Sequence, residues 1–150
     1  MDSYSVKNTK QFMAKLLIEG ALDNFYFESG KITTFNTFSI DGLIKKEFYS
    51  EEEAAEITDK YSEFRKVRPL IYEMIKGKNT PLMFAFVLYA PKDMYENADY
   101  EAGVRYVLNI RFEAGVIKCI SGISYPGFSL DKSSDALWDK KIMAFIETLD

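Results

Sequence analysis

The sequence predicts an α+β fold, a mostly antiparallel sheet with helices packed on it. Three observations carry that expectation. Runs rich in β-branched and aromatic residues alternate with apolar-striped helical segments. Turn dipeptides, Asp41-Gly42 and Ala114-Gly115, stand between strand-like runs. Gly and Pro occur singly, with no linker or low-complexity tract to separate domains. A chain of 150 residues fits one domain, and at that size roughly 68–70% of the unfolded surface can be buried.

The elements follow in order. Tyr4 and Val6 alternate as a short strand. Asn8, with Gln11 after it, is a helix-start signature, and Phe12, Met13, Leu16 and Leu17 form the stripe of the helix that Gly20 ends. A three-stranded meander is expected next: 23–29, a tight turn at Ser29-Gly30, 31–40, a type I′ turn at Asp41-Gly42, and Leu43 to Tyr49. Ser50 and Glu53 form a capping box, and Glu51, Glu52, Glu53 and Glu56 suit the positive end of a helix dipole. The helical pattern runs to Lys76 with a break near Thr58, and Gly77 ends it; Phe64, Val67, Ile71 and Ile75 mark its buried side. Pro69 must start a new segment or kink this one.

Leu82 to Tyr89 is apolar on both faces, as in a central, doubly covered strand or an interface. Lys92 to Gly103 reads as a polar connection. Val104, Tyr106, Leu108, Ile110 and Phe112 alternate with polar neighbours, Ala114-Gly115 turns the chain, and Val116 to Ser124 pairs back. A Tyr125-Pro126-Gly127 loop leads to a last helix over about 133–148, lined by Trp138, Ile142, Phe145 and Leu149. The order is thus (β)-α-β-β-β-α-β-β-β-α, whose repeated element types suggest a pseudo-twofold arrangement like that of DNA sliding-clamp domains.

Composition removes whole classes of chemistry. There is no His and one Cys, so no His-based triad, His-ligated metal, Cys-rich zinc site or disulfide framework can form within the chain. Net charge is −4 with pI near 5.0, which is ordinary for a cytoplasmic protein and is not the overall signature of a nucleic-acid binder. MDSYSVKNTK lacks a signal-peptide core, and the apolar run from Pro81 to Pro91 is far shorter than the ~20 residues of a membrane span, so no membrane association is expected. Cys119, mid-strand with no His to activate it, reads as a buried inert thiol. Glu51 to Glu53 point in different directions and serve the helix start better than a metal. Asp41 belongs to turn chemistry, and no carboxylate pair is spaced for acid–base work. Gly77 to Pro81 lacks the spacing of a phosphate loop, and no cofactor is expected.

The most informative charge feature is local. Lys60, Arg65, Lys66, Arg68, Lys76 and Lys78 fall close together, opposed only by Glu63 and Glu73, with Lys7, Lys10 and Lys15 on the first helix. They read either as an anion-facing surface, for phosphate among other groups, or as solvated helix faces. Tyr95, Tyr100 and Tyr125 sit on loops, where exposed aromatics favour partner contacts.

Several strings form a set: FMAKLL (12–17), ITTFNTFSIDG (32–42), IKGKNTPLMFAFV (75–87), LNIRFEAG (108–115), FSLDKS (128–133) and ALWD (136–139). The chain resembles an uncharacterised family of proteins of about 150 residues from anaerobic Gram-positive bacteria. ITTFNTFSIDG is the most specific string. The resemblance implies a single-domain, cytoplasmic, bacterial protein, and no activity, substrate or catalytic residue.

Three functional readings follow. The first is a non-catalytic binding or interaction module whose basic helix residues face an anionic partner, a protein or a nucleic acid. The second is a small-molecule-binding protein or enzyme with a cavity between sheet and helices, prompted by Thr33, Asn36, Thr37 and Asn109. The third is an oligomer-forming structural protein, prompted by strand 82–89.

Overall fold

The computed structural model describes residues 1–95, 104–125 and 133–150. Tyr100, the turn at Pro126-Gly127, most of the 92–103 connection and the side chain of Tyr95 lie outside the described residues. The elements are β1 (Ser3–Ser5), α1 (Thr9–Leu17), β2 (Tyr26–Thr33), β3 (Thr37–Asp41), α2 (Glu51–Glu56), α3 (Phe64–Ile75), β4 (Met83–Tyr89), β5 (Arg105–Glu113), β6 (Val116–Ser124) and α4 (Ser133–Leu149). They form an α+β fold around one open six-stranded sheet of order β1-β6-β5-β4-β2-β3. Every neighbouring pair is antiparallel. The repeat of element types does not extend to sheet positions: β4, β5 and β6 are contiguous, with β1 on one side and β2 and β3 on the other.

Local chemistry places some turns differently from the sequence expectation. Ser29-Gly30 lies inside β2, and the chain reverses instead at 34–36, where the Thr34 N–H donates to the Asn36 carbonyl at 2.9 Å. Gly30 is needed for packing, since a Cβ there would sit 2.7 Å from the Phe27 ring and 3.0 Å from the Phe86 ring. Asp41-Gly42 does not close a hairpin. A Cβ on Gly42 would collide with the Phe27 carbonyl, so glycine here permits a close backbone approach. The expected strand 43–49 shrinks to one bridge, Leu43 to Tyr61, and a 3-10 turn at Lys46–Phe48. The turn with two positive φ values is Ala114-Gly115, at 53° and 80°.

The helices follow their caps. The Asn8 side chain accepts from the Gln11 N–H at 3.0 Å, and Ser50 with Glu53 closes a reciprocal capping box. The helical pattern breaks after Glu56, as expected, and resumes at Phe64. Pro69 sits within α3 rather than starting it.

Alternation gives the sheet two unlike faces. On one, register aligns Ile32, Phe84, Phe112 and Ile117, then Gly30, Phe86, Ile110 and Cys119, then Phe27, Leu88, Leu108 and Ser121. All are buried. Phe12 and Leu16 of α1, Phe64 and Ile71 of α3, and Trp138, Ile142 and Ile146 of α4 complete this core. The Phe64 ring stands 6.1 Å from Phe27 and 6.4 Å from Phe86, and Trp138 lies 5.4 Å from Tyr106. Burying each such ring contributes about 1.5–3 kcal/mol. The opposite face carries no helix among the described residues. Strand β4 is therefore central but covered by helices on one side only, with Met83, Ala85, Val87 and Tyr89 half-exposed on the other.

Candidate functional site on the helix-free face of the sheet

Register brings three distant cations into one row across this open face. Lys31 of β2 pairs with Ala85, Ala85 with Arg111, Arg111 with Lys118, and Lys118 with Ser5. Ser39 extends the row on the other side, opposite Lys31. Lys31, Arg111 and Lys118 are exposed. Among the described residues, none of the three takes part in an ion pair. Arg111 and Lys118 stand directly opposite one another, an arrangement that is destabilising in a sheet. The next row offers Ser3 and Asn109, short polar groups able to hydrogen-bond an anion, whereas the Ser29 hydroxyl in the same row donates to Glu28. The small side chain of Ala85 keeps the surface low between Lys31 and Arg111, and Ser39 and Ser5 end the row. A recess of about 540 Å³ opens beside Lys31, lined by Ser29, Ser39, Ala85 and Val87 together with the carboxylates Glu28 and Asp41. Asp41 is already engaged: the Lys45 ammonium at 2.8 Å and the Leu43 N–H hold its carboxyl below the usual range.

One end of the face is closed by aromatics. Tyr61, on the segment linking α2 to α3, packs edge-on to Tyr89 at 5.3 Å. The Arg105 guanidinium lies over both rings, at 5.8 and 5.4 Å. Burial, with Glu28 and Tyr61 adding to it, pushes the Tyr89 hydroxyl up to about 12. Both groups are structural here: the phenol stays neutral and Arg105 is spent on the rings.

Of the basic helix residues, Arg65 and Lys66 line one recess and the others lie outside it. Arg68 binds Asp23 through two nitrogens at 2.6 and 2.9 Å and donates to the Leu17 carbonyl at 3.0 Å, tying α3 to the end of α1. Both partners are under a quarter exposed. Arg65 pairs with Glu63 at 2.7 Å and Lys76 with Glu73 at 2.9 Å. Lys66 bonds the Tyr49 hydroxyl and covers that ring at 4.8 Å, and Lys60 lies 5.5 Å from the Tyr61 ring. Lys78 is exposed beyond α3. A wider recess of about 690 Å³ between α2 and α3 mixes Glu53, Glu56 and Asp59 with Arg65 and Lys66 over Ile44 and Ile57, so it presents no single charge.

The polar set proposed for an internal cavity lies elsewhere. Thr33 and Thr37 bond one another at 2.9 Å beside the hairpin tip that holds Asn36, and Asn109 reaches the Ile120 carbonyl at 3.4 Å. Thr33, Thr37 and Asn109 belong to the open face, whereas the sheet–helix layer is filled by rings. Cys119 is buried, and burial pushes its thiol up to about 12, which leaves no thiolate at neutral pH.

Residues 15–150 match a family of unknown function, DUF5721. The chain belongs to that family. It supplies no activity and no residue roles, so the geometry above carries the functional reading. No curated protein and no solved structure matches the chain. No helix among the described residues is long and apolar enough to cross a membrane.

Proposed function

We propose that this DUF5721 chain is a non-catalytic binding module whose partner is an extended anion, received on the helix-free face of the sheet. The observation that carries this reading is the row Lys31, Arg111 and Lys118: exposed, without an ion pair among the described residues, and including two like charges in direct cross-strand register. A bound anion would relieve that repulsion. The spacing favours a polymer over a small ion, because Lys31 and Arg111 are two strand intervals apart, about 10 Å, while Lys118 lies about 5 Å further on. A flat face flanked by hydroxyls suits the phosphodiester backbone of a single-stranded nucleic acid best. The sequence expectation placed this role on the basic helix residues, but their local pairing favours the sheet. A cytoplasmic, bacterial setting is part of the same proposal; the unpaired Cys119 is consistent with a reducing compartment.

Fluorescence anisotropy of a labelled single-stranded oligonucleotide tests the reading. Three phosphate contacts predict that affinity falls roughly 20-fold between about 50 and 200 mM salt. Absence of binding at the lower salt concentration would contradict it.

A further inference from the structure

The two edges of the sheet are treated differently. β1 is three residues long. Its Tyr4 hydroxyl is held by Asp150 at 2.9 Å, and the preceding Met1 amine bonds Asp139 of α4 at 2.9 Å. β3 ends the other side with five residues, no Pro, no Lys and an unbroken register against β2. Apart from the charge of Asp41 at its end, such an edge lacks the usual devices that prevent strand pairing.

We propose that β3 is a self-association edge, and that two copies join β3 to β3, antiparallel, about a twofold axis at Ser39. The direction of its free backbone groups follows from the ladder. The Gly42 N–H donates to the Glu28 carbonyl at 3.0 Å and the Thr34 N–H to the Asn36 carbonyl at 2.9 Å. In antiparallel pairing alternate residues bond inward, so Phe38 and Ile40 bond to β2. Thr37, Ser39 and Asp41 therefore turn their N–H and C=O groups outward, and all three are exposed.

The segment is complementary to itself about its centre. With Ser39 on the axis, Ser39 faces Ser39, Phe38 faces Ile40 of the second copy, and Thr37 faces Asp41. The outward groups exchange hydrogen bonds, and the half-buried Phe38 and Ile40 cover one another. Phe35, 85% exposed and 5.7 Å from Phe38, widens the apolar patch. Charge selects the direction: a parallel in-register pair would set Asp41 against Asp41, whereas the antiparallel pair sets it against a hydroxyl. The contact is isologous and closed, giving a dimer rather than a fibre. Because five residues a side fall well below a standard interface, the dimer is expected to be weak. This pairing does not depend on the anion reading, although it would join the cation rows of the two copies end to end through Ser39.

Sedimentation equilibrium from about 10 μM to 1 mM tests it, a range suited to an interface below standard size. The wild-type chain should pass reversibly from monomer to dimer. Ser39→Pro deletes an outward N–H that the monomer does not use, and should weaken association at least tenfold without altering thermal unfolding; Thr37→Lys places a charge at the edge and should weaken association at least tenfold, although it also removes the Thr33–Thr37 hydrogen bond of the monomer. Slowed exchange of the Ser39 amide with rising wild-type concentration is a readout that needs no variant. A wild-type monomer throughout the range would overturn the proposal. So would a dimer that both variants keep, or a concentration-independent Ser39 amide.

Discussion

Strand β4 presents Phe84, Phe86 and Leu88 to one side and Met83, Ala85, Val87 and Tyr89 to the other. The same backbone therefore serves a sealed aromatic layer and an open surface. The first set is 0–1% exposed and belongs to the core that residues of α1, α3 and α4 complete. The second set shares its face with unpaired cations. The contrast teaches that fold and candidate function are segregated by side-chain alternation: stability is concentrated on the helix side, and the open face tolerates like charges side by side. Substitutions one residue apart should then behave oppositely.

The largest expected effect breaks the covered face. Phe86→Ala should lower unfolding free energy by about 3–5 kcal/mol, whereas Val87→Ala next to it should cost about 1 kcal/mol or less, both read from urea denaturation. Equal losses would dissolve the distinction between the faces. Next comes Arg68, which the sequence groups with the surface cations and the structure assigns to the α1–α3 junction. Arg68→Ala should cost about 2–3 kcal/mol, because it strands Asp23 and the Leu17 carbonyl. Charge reversal at Arg68 would consequently report stability rather than binding.

Lys118→Glu sharpens the comparison in the opposite direction. It replaces a repulsive cross-strand pair with an attractive one, and should raise stability by about 0.2–1 kcal/mol while weakening anion binding. A variant that loses both would contradict an open-face binding role. The smallest effect concerns pH. Asp150 feels desolvation that pushes its carboxyl up, but the Lys7 and Asn8 N–H groups and the Tyr4 hydroxyl outweigh it and hold the carboxyl below the usual value of 3.8. Its contribution is therefore present above that value and lost as pH falls through the lowered one. Thermal unfolding across the acid range should show a shallower decline for Asp150→Asn than for the wild type.

Much of this fold is legible in the sequence. The caps at Asn8 and Ser50 and the hairpin at Ala114-Gly115 follow from local chemistry, and so do the stripes of α1 and α4. Asp41-Gly42 misleads because its glycine answers a distant carbonyl, that of Phe27, rather than a positive φ. The row of cations on the open face is half legible. Arg111 and Lys118 lie symmetrically about the Ala114-Gly115 turn, so the hairpin register alone pairs them. Lys31 joins only through the sheet order, which places β4 beside both β2 and β5. Clustering in sequence points instead to α3, where Arg65 pairs with nearby Glu63 and Arg68 is neutralised by Asp23, a partner that spacing cannot reveal.

The most direct measurement compares the two charged surfaces in one experiment: oligonucleotide anisotropy at about 50 mM salt, where phosphate contacts are least screened, with the wild type, the Arg111→Glu, Lys118→Glu double variant and Lys66→Glu. The sheet-face account predicts that the double variant loses binding while remaining folded and that Lys66→Glu binds nearly as the wild type does. Binding kept by the double variant and lost by Lys66→Glu would move the site to the helices and contradict it.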